Sequence, residues 1–234
     1  NQSPQEITVI IRMKKVNIFA LSALVAVLIA GLASCSETSD EVEEYADWQN
    51  VNATYFDKTY ADAKQKASAG DATCKVLRAY NIEEKVATHS YDHIVVNVLK
   101  AGNGSGCPIY TDSVKVHYSG RLLPSASYPN GKVFDQSWTG DYDLTTMMPV
   151  KFAVKGVVTG FGTALQYMHI GDRWQVIIPQ QLAYGSSDTP GAAYSTLVFD
   201  VTLVAYYRAN DVPKKVSRSG DGKNAESSGR WIYE

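Results

Sequence analysis

The sequence is poor in the residues that hold metals and cross-link chains, with three cysteines and four histidines among 234 residues. His89 and His93 stand four apart, but they sit at the approach to a strand with no acidic partner at a metal spacing, so no metal site is expected. Positive charge is not in excess either: 22 basic and 24 acidic residues leave a net charge of -2. The basic footprint of a nucleic-acid partner is therefore missing. The glycine-rich stretch Gly102–Gly106 runs into Cys107 and Pro108, without the Lys-Ser/Thr and helix of a phosphate loop, and reads as a turn. No pair of carboxylates suggests glycosidase chemistry, no internal repeat is found, and no cofactor is expected. What remains is a globular composition, 45% hydrophobic with 17 glycines and 8 prolines, which excludes collagen, a wholly disordered chain and a multi-pass membrane protein.

The apolar density is concentrated in Ile18–Ala33, an uncharged run that follows Met13, Lys14 and Lys15. A basic start, an apolar stretch and a small-residue exit form the layout of a secretory signal peptide. The exit Leu32-Ala33-Ser34-Cys35 resembles the lipobox of bacterial lipoproteins, which implies lipidation at Cys35. A transmembrane anchor is the competing reading, but a bilayer needs about 20 apolar residues and this run is marginal. Residues 1–34 are thus expected to be an upstream extension and a lipoprotein signal peptide. Their removal leaves 19 basic and 23 acidic residues. Residues 35–44, with the solvated charge run Asp40, Glu41, Glu43 and Glu44, suit an acidic tether that holds a domain off a membrane. In an exported protein Cys74 and Cys107 have two open alternatives, a disulfide or two unpaired thiols.

In residues 45–70, Tyr45, Trp48, Tyr55, Phe56, Tyr60 and Ala63 recur at mostly helical spacing and predict an amphipathic helix ending before Gly70. Its aromatic stripe could dock on the following domain or pair with a second copy, as a homodimer. From about Lys75 the pattern turns to short alternating segments, predicting strands at His93–Leu99, Ser113–Leu122, Lys132–Trp138, Val150–Val154, Arg173–Pro179 and Thr196–Tyr207. One short helix, Phe161–Met168, interrupts them between Gly160 and Gly171. The fold class is therefore α+β, an antiparallel sheet with one helix on one face. The domain spans residues 75–207 with a core at 93–207, and residues 208–234 read as a polar, disordered tail.

Four blocks, VKVHYSGRL (114–122), GKVFDQS (131–137), VVTGFGTALQYMHIGDRWQVIIPQQLAYG (157–185) and TLVFDVTLV (196–204), resemble the FKBP-type peptidyl-prolyl cis-trans isomerase domain in order and spacing. The resemblance implies a twisted antiparallel sheet wrapped around a short helix, with an aromatic pocket between them. It implies catalytic roles for Asp135, Tyr184, Phe161 and Val158, and a substrate-binding wall of Tyr118, Phe134, Val157, Phe199 and Phe152. Phe161 would form the floor, the Val158 N–H and the Tyr184 hydroxyl would donate to substrate carbonyls, and Asp135 would orient Tyr118. Three positions depart from the family. The floor is most often tryptophan in well-known active members, so Phe161 implies a deeper pocket. Val150 holds a wall position that is often aromatic, and the loop Ser186–Ser195 is shorter than in the best-studied members.

The chemistry fits those residue types. Twisting an X-Pro amide breaks its resonance over a barrier of about 18–20 kcal/mol, and needs no nucleophile, metal or redox group. A dry pocket that grips the proline ring, with donors that hold the neighbouring carbonyl, favours the twisted state over the planar one. A millionfold gain corresponds to about 8 kcal/mol. Two functions are open at this point: an exported prolyl isomerase acting on proline-containing polypeptides, or a lipoprotein of the same fold that binds partners without turnover. Either is expected in the envelope of a Gram-negative bacterium, lipid-anchored at the outer membrane on its periplasmic or surface face.

Overall fold

The computed structural model describes residues 43–208 and 229–233. The expected signal peptide, Cys35 and the tether up to residue 42 lie outside the described residues, as does 209–228 of the tail.

Helix α1 (Trp48–Ser68) has alanine as its commonest residue and no glycine or proline, so propensity and length both favour it. It buries Trp48, Asn52, Phe56 and Ala63, one stripe at intervals of four, four and seven. Phe56 and Ala63 pack with Cys74, Val95 and Ile177, so much of the aromatic stripe docks on the chain's own sheet. Val51 and Tyr55 on the same helix stay exposed.

The strands are β1 (Cys74–Arg78), β2 (His93–Lys100), β3 (Ser113–Arg121), β4 (Val133–Gln136), β5 (Val150–Ala153), β6 (Arg173–Ile178), β7 (Leu197–Arg208) and β8 (Arg230–Ile232). They form one antiparallel sheet in the order β1-β2-β6-β7-β3-β4, with β5 also on β3 and β8 on β7. The central strand β7 buries Leu197, Phe199, Val201 and Leu203 on its inner face, the period-two pattern of a strand with one face on the core. Helix α2 (Thr159–Tyr167) lies on that inner face and buries Phe161, Ala164 and Leu165. It approaches closely because residue 160 is glycine: a Cβ there would fall 2.2 Å from Ile178 Cγ2.

Of the two alternatives for the cysteines the structure has the unpaired one, and one expectation, the tail, is corrected. Cys74 and Cys107 are free thiols, not a disulfide. Cys74 is buried under α1, its Sγ 3.8 Å from the Ala63 carbonyl, whereas Cys107 lies beside His169, at 3.8 Å from Nδ1. The tail is not wholly outside the fold, since Arg230–Ile232 pairs with Tyr206–Arg208. Lys115 Nζ lies 4.7 Å from the Trp231 ring centre and helps hold that last strand.

Candidate active site

The site begins on β3, where Tyr118 and Gly120 face the same side of the pleat. Tyr118 is buried, its backbone N–H donates to Ser137 Oγ at 2.9 Å, and its hydroxyl donates to the Asp135 carboxylate at 2.7 Å. Burial first, and then the bond to Asp135, hold the Tyr118 phenol protonated well above its usual range. On β4 the register slips opposite Gly120 and Arg121, which pair with Asp135 and Val133, so Phe134 is the extra residue of a bulge. Bulges re-aim side chains next to functional sites. Here the Phe134 ring meets Phe199 edge to face, with centroids 5.6 Å apart.

Both rings lie over Gly120, the partner of Phe199 in the β3–β7 ladder. A Cβ on residue 120 would stand 2.6 Å from Phe134 Cζ and 2.6 Å from Phe199 Cε1, so only glycine leaves room for this wall. Below it, Phe161 on α2 is 4.8 Å from Phe199 and 6.2 Å from Tyr118 between centroids, and Phe152 on β5 is 5.3 Å from Tyr118. Val158 precedes α2 with an extended backbone, and among the described residues its N–H meets no acceptor. Tyr184 is partly exposed at the mouth, and burial followed by the nearby Asp135 charge raises its phenol pKa.

All nine residues singled out for catalysis or substrate binding line one cleft of about 240 Å³: Tyr118, Phe134, Asp135, Phe152, Val157, Val158, Phe161, Tyr184 and Phe199. Gly156 completes the lining, while Val150, expected in the wall, pairs with Val116 in the β3–β5 ladder and is not part of it. Gly120 and Ser137 were not among the candidates. Both lie inside the quoted blocks, yet their roles depend on what stands over them in three dimensions. Cys35 lies outside the described residues, and Cys74 and Cys107 are remote from the cleft lining.

A larger cavity of about 600 Å³ has a different character. It is lined by His117, which neighbours Tyr118 and so points to the other face of β3, and by Tyr142, Arg173 and Thr202. Arg173 is already committed to a two-pronged pair with Asp200, at 2.9 and 2.6 Å, and lies 3.6 Å from the Tyr142 ring centre. The residues expected to grip a proline ring line the smaller aromatic cleft and not this cavity.

The model of the family described as FKBP-type peptidyl-prolyl cis-trans isomerase matches residues 107–204. The chain is 32% identical over 207 residues to the FKBP-type peptidyl-prolyl cis-trans isomerase FkpA of Escherichia coli K12, covering 86% of this chain and 70% of that one. It is 29% identical over 179 residues to the FKBP-type 22 kDa peptidyl-prolyl cis-trans isomerase of the same organism, covering 76% and 81%. Over 110 residues it is 37% identical to the peptidyl-prolyl cis-trans isomerase Mip of Coxiella burnetii, covering 46% of this chain and 42% of that one. The matched segment contains the strands and helix that build the aromatic cleft, and the protein belongs to the FKBP-type peptidyl-prolyl cis-trans isomerase family.

Proposed function

We propose that the isomerase acts through the Tyr118–Phe161–Phe199 cleft, on X-Pro bonds of exported or envelope polypeptides. The observation that carries the reading is the convergence of six aromatic rings and the unpartnered Val158 N–H on one cleft whose lining, among the described residues, has no histidine, cysteine or lysine. Such a lining offers shape and donors rather than proton transfer or nucleophilic attack. The proline ring sits on Phe161 between Tyr118, Phe134, Phe152 and Phe199. The Val158 N–H and the Tyr184 hydroxyl donate to carbonyls on either side of the twisting bond. Tyr118, whose proton is engaged by Asp135, serves as a fixed wall and not as a base. As the amide twists, its oxygen loses resonance charge, so removal from water penalises the twisted state less than the planar one.

The lipobox-like Leu32-Ala33-Ser34-Cys35 supports anchoring of the chain at Cys35 in a bacterial envelope membrane. Because α1 uses Trp48 and Phe56 within its own chain, a homodimer through this helix would have to form on Val51 and Tyr55. Lipid attachment is tested by Cys35→Ala, which should release the protein from the membrane fraction. The site is tested by isomerisation of short proline peptides, which Tyr184→Phe should slow.

A further inference from the structure

Two loops flank the cleft, one tied to Glu44, four residues ahead of α1, and the other to the first turns of α1. Residues 122–132 lead from β3 into β4 and so deliver Phe134 and Asp135. Residues 183–196 lead from Tyr184 into β7 and so deliver Phe199. On the first loop, the Ser125 hydroxyl donates to the Glu44 carboxylate, and the Ser127 N–H donates to it at 3.0 Å. On the second, Trp48 Nε1 donates to Ser195 Oγ at 2.8 Å, and Ser195 Oγ donates to the Ala192 carbonyl at 2.8 Å. One turn along α1, Asn52 Oδ1 accepts the Thr196 N–H at 2.7 Å, while Asn52 Nδ2 donates to the Trp48 carbonyl at 2.7 Å.

This polar cluster is almost fully dry: Trp48, Asn52, Ser195 and Thr196 are 7%, 1%, 5% and 1% exposed. An asparagine on the buried stripe of a helix is costly unless its amide is satisfied. Both ends of the Asn52 amide are satisfied, one by the helix and one by the loop. Within the loop, Tyr194 has a left-handed φ of 60° and donates its N–H to the Gly185 carbonyl at 2.8 Å, next to Tyr184. The loop's own sequence, SSDTPGAAYS, has one large side chain and little apolar surface to hold it in place. Beside the bonds within the loop, α1 supplies side-chain ties from outside it, through Trp48 and Asn52.

We propose that the first turns of α1 are a strut of the active site, with Trp48 and Asn52 as positioning residues that fix residues 183–196, and through them Tyr184. This rests on the reading of the aromatic cleft as the isomerase site. The strut sets how firmly residues flanking the proline are held, so its loss acts on substrate binding rather than on the twisting step. The family's pocket residues alone would then not define specificity, and residues 44–52 belong to the site.

The test uses the full chain with Trp48→Phe, which keeps a ring and removes the donor, and Ser195→Ala, which removes the acceptor. Amide exchange at Tyr194 and Thr196 is measured beside KM and kcat on a peptide extended on both sides of proline. Each variant should speed exchange at Tyr194 about tenfold, the effect of one buried hydrogen bond. KM should rise several-fold with kcat within about twofold, and the double variant should be no worse than Ser195→Ala alone. Unchanged exchange and KM, or additive effects in the double variant, would overturn the strut. A wild-type chain without turnover would instead count against the isomerase site, and the exchange rates would still decide the strut.

Discussion

The hydroxyl of Tyr118 donates to the Asp135 carboxylate at 2.7 Å, a bond from β3 to β4 across the mouth of the cleft. It fixes the ring that forms one wall, and it puts a negative charge within reach of Tyr184. Asp135 itself is exposed, so its removal frees a wall without opening the core. Asp135→Ala should lower kcat/KM about tenfold while costing about 1 kcal/mol of stability, the usual worth of one hydrogen bond. Stopped-flow peptide assays and calorimetry on the same preparation read the two quantities. Equal activity in the variant would remove Asp135 from the site.

Gly120 makes a sharper steric prediction. With Phe134 Cζ and Phe199 Cε1 both 2.6 Å from where a Cβ would stand, Gly120→Ala must push two rings aside. Overpacking of this kind costs about 1–3 kcal/mol, and here it should also weaken binding of proline peptides. A variant that melts like the wild type and binds normally would show that the wall is more pliable than its geometry implies.

His117 predicts a pH dependence of folding. The residue is 3% exposed with no hydrogen-bond partner for Nδ1 among the described residues, and burial pulls its pKa below the ordinary 6.5. Below pH 6.5 the unfolded chain binds a proton that the folded chain resists, so this contribution is complete above pH 6.5 and is lost as the pH falls. Urea titrations between about pH 5 and pH 7 should show stability declining on the acid side, and His117→Leu should flatten that slope. A slope unchanged by His117→Leu would assign it to other groups.

The two thiols should differ in reactivity. Burial raises the pKa of both, but Cys74 is 5% exposed under α1 whereas Cys107 is half-buried. Alkylation of the native chain, followed by mass spectrometry, should mark Cys107 first and Cys74 only after denaturation, with no reductant needed. Failure of both to react in denaturant without reductant would mean that they are bridged.

Much of the fold was legible because the strands that matter carry strong alternation. Leu197, Phe199, Val201 and Leu203 announce β7, and the helix expected at Phe161–Met168 runs over Thr159–Tyr167, shifted at both ends. β1 carries little signal in the sequence, since Cys74–Arg78 has only five residues, two of them charged, and no alternation. β8 was invisible because Trp231 and Ile232 sit in a polar tail and find their partners on a distant strand. The disulfide alternative failed for a similar reason: an oxidising compartment permits a bridge, but only the fold brings two cysteines within bonding geometry. Eight of the nine residues that the resemblance singled out lie in the motif blocks and Phe152 lies between two of them, and all nine line one cleft, whereas Asn52 gave no signal, being one polar residue in an otherwise apolar stripe whose acceptor role exists only once Thr196 is beside it.

The central claim is that a dry aromatic cleft, and no proton transfer, turns X-Pro bonds. The most direct measurement is cis-to-trans isomerisation of short peptides with varied residues before proline, by the wild-type chain and by Tyr184→Phe. The account predicts acceleration that scales with protein concentration, changes little between about pH 6 and pH 8 because no histidine or cysteine is among the described residues that line the cleft, and drops in the variant. A folded wild-type chain that binds these peptides and leaves their isomerisation rate unchanged would contradict it.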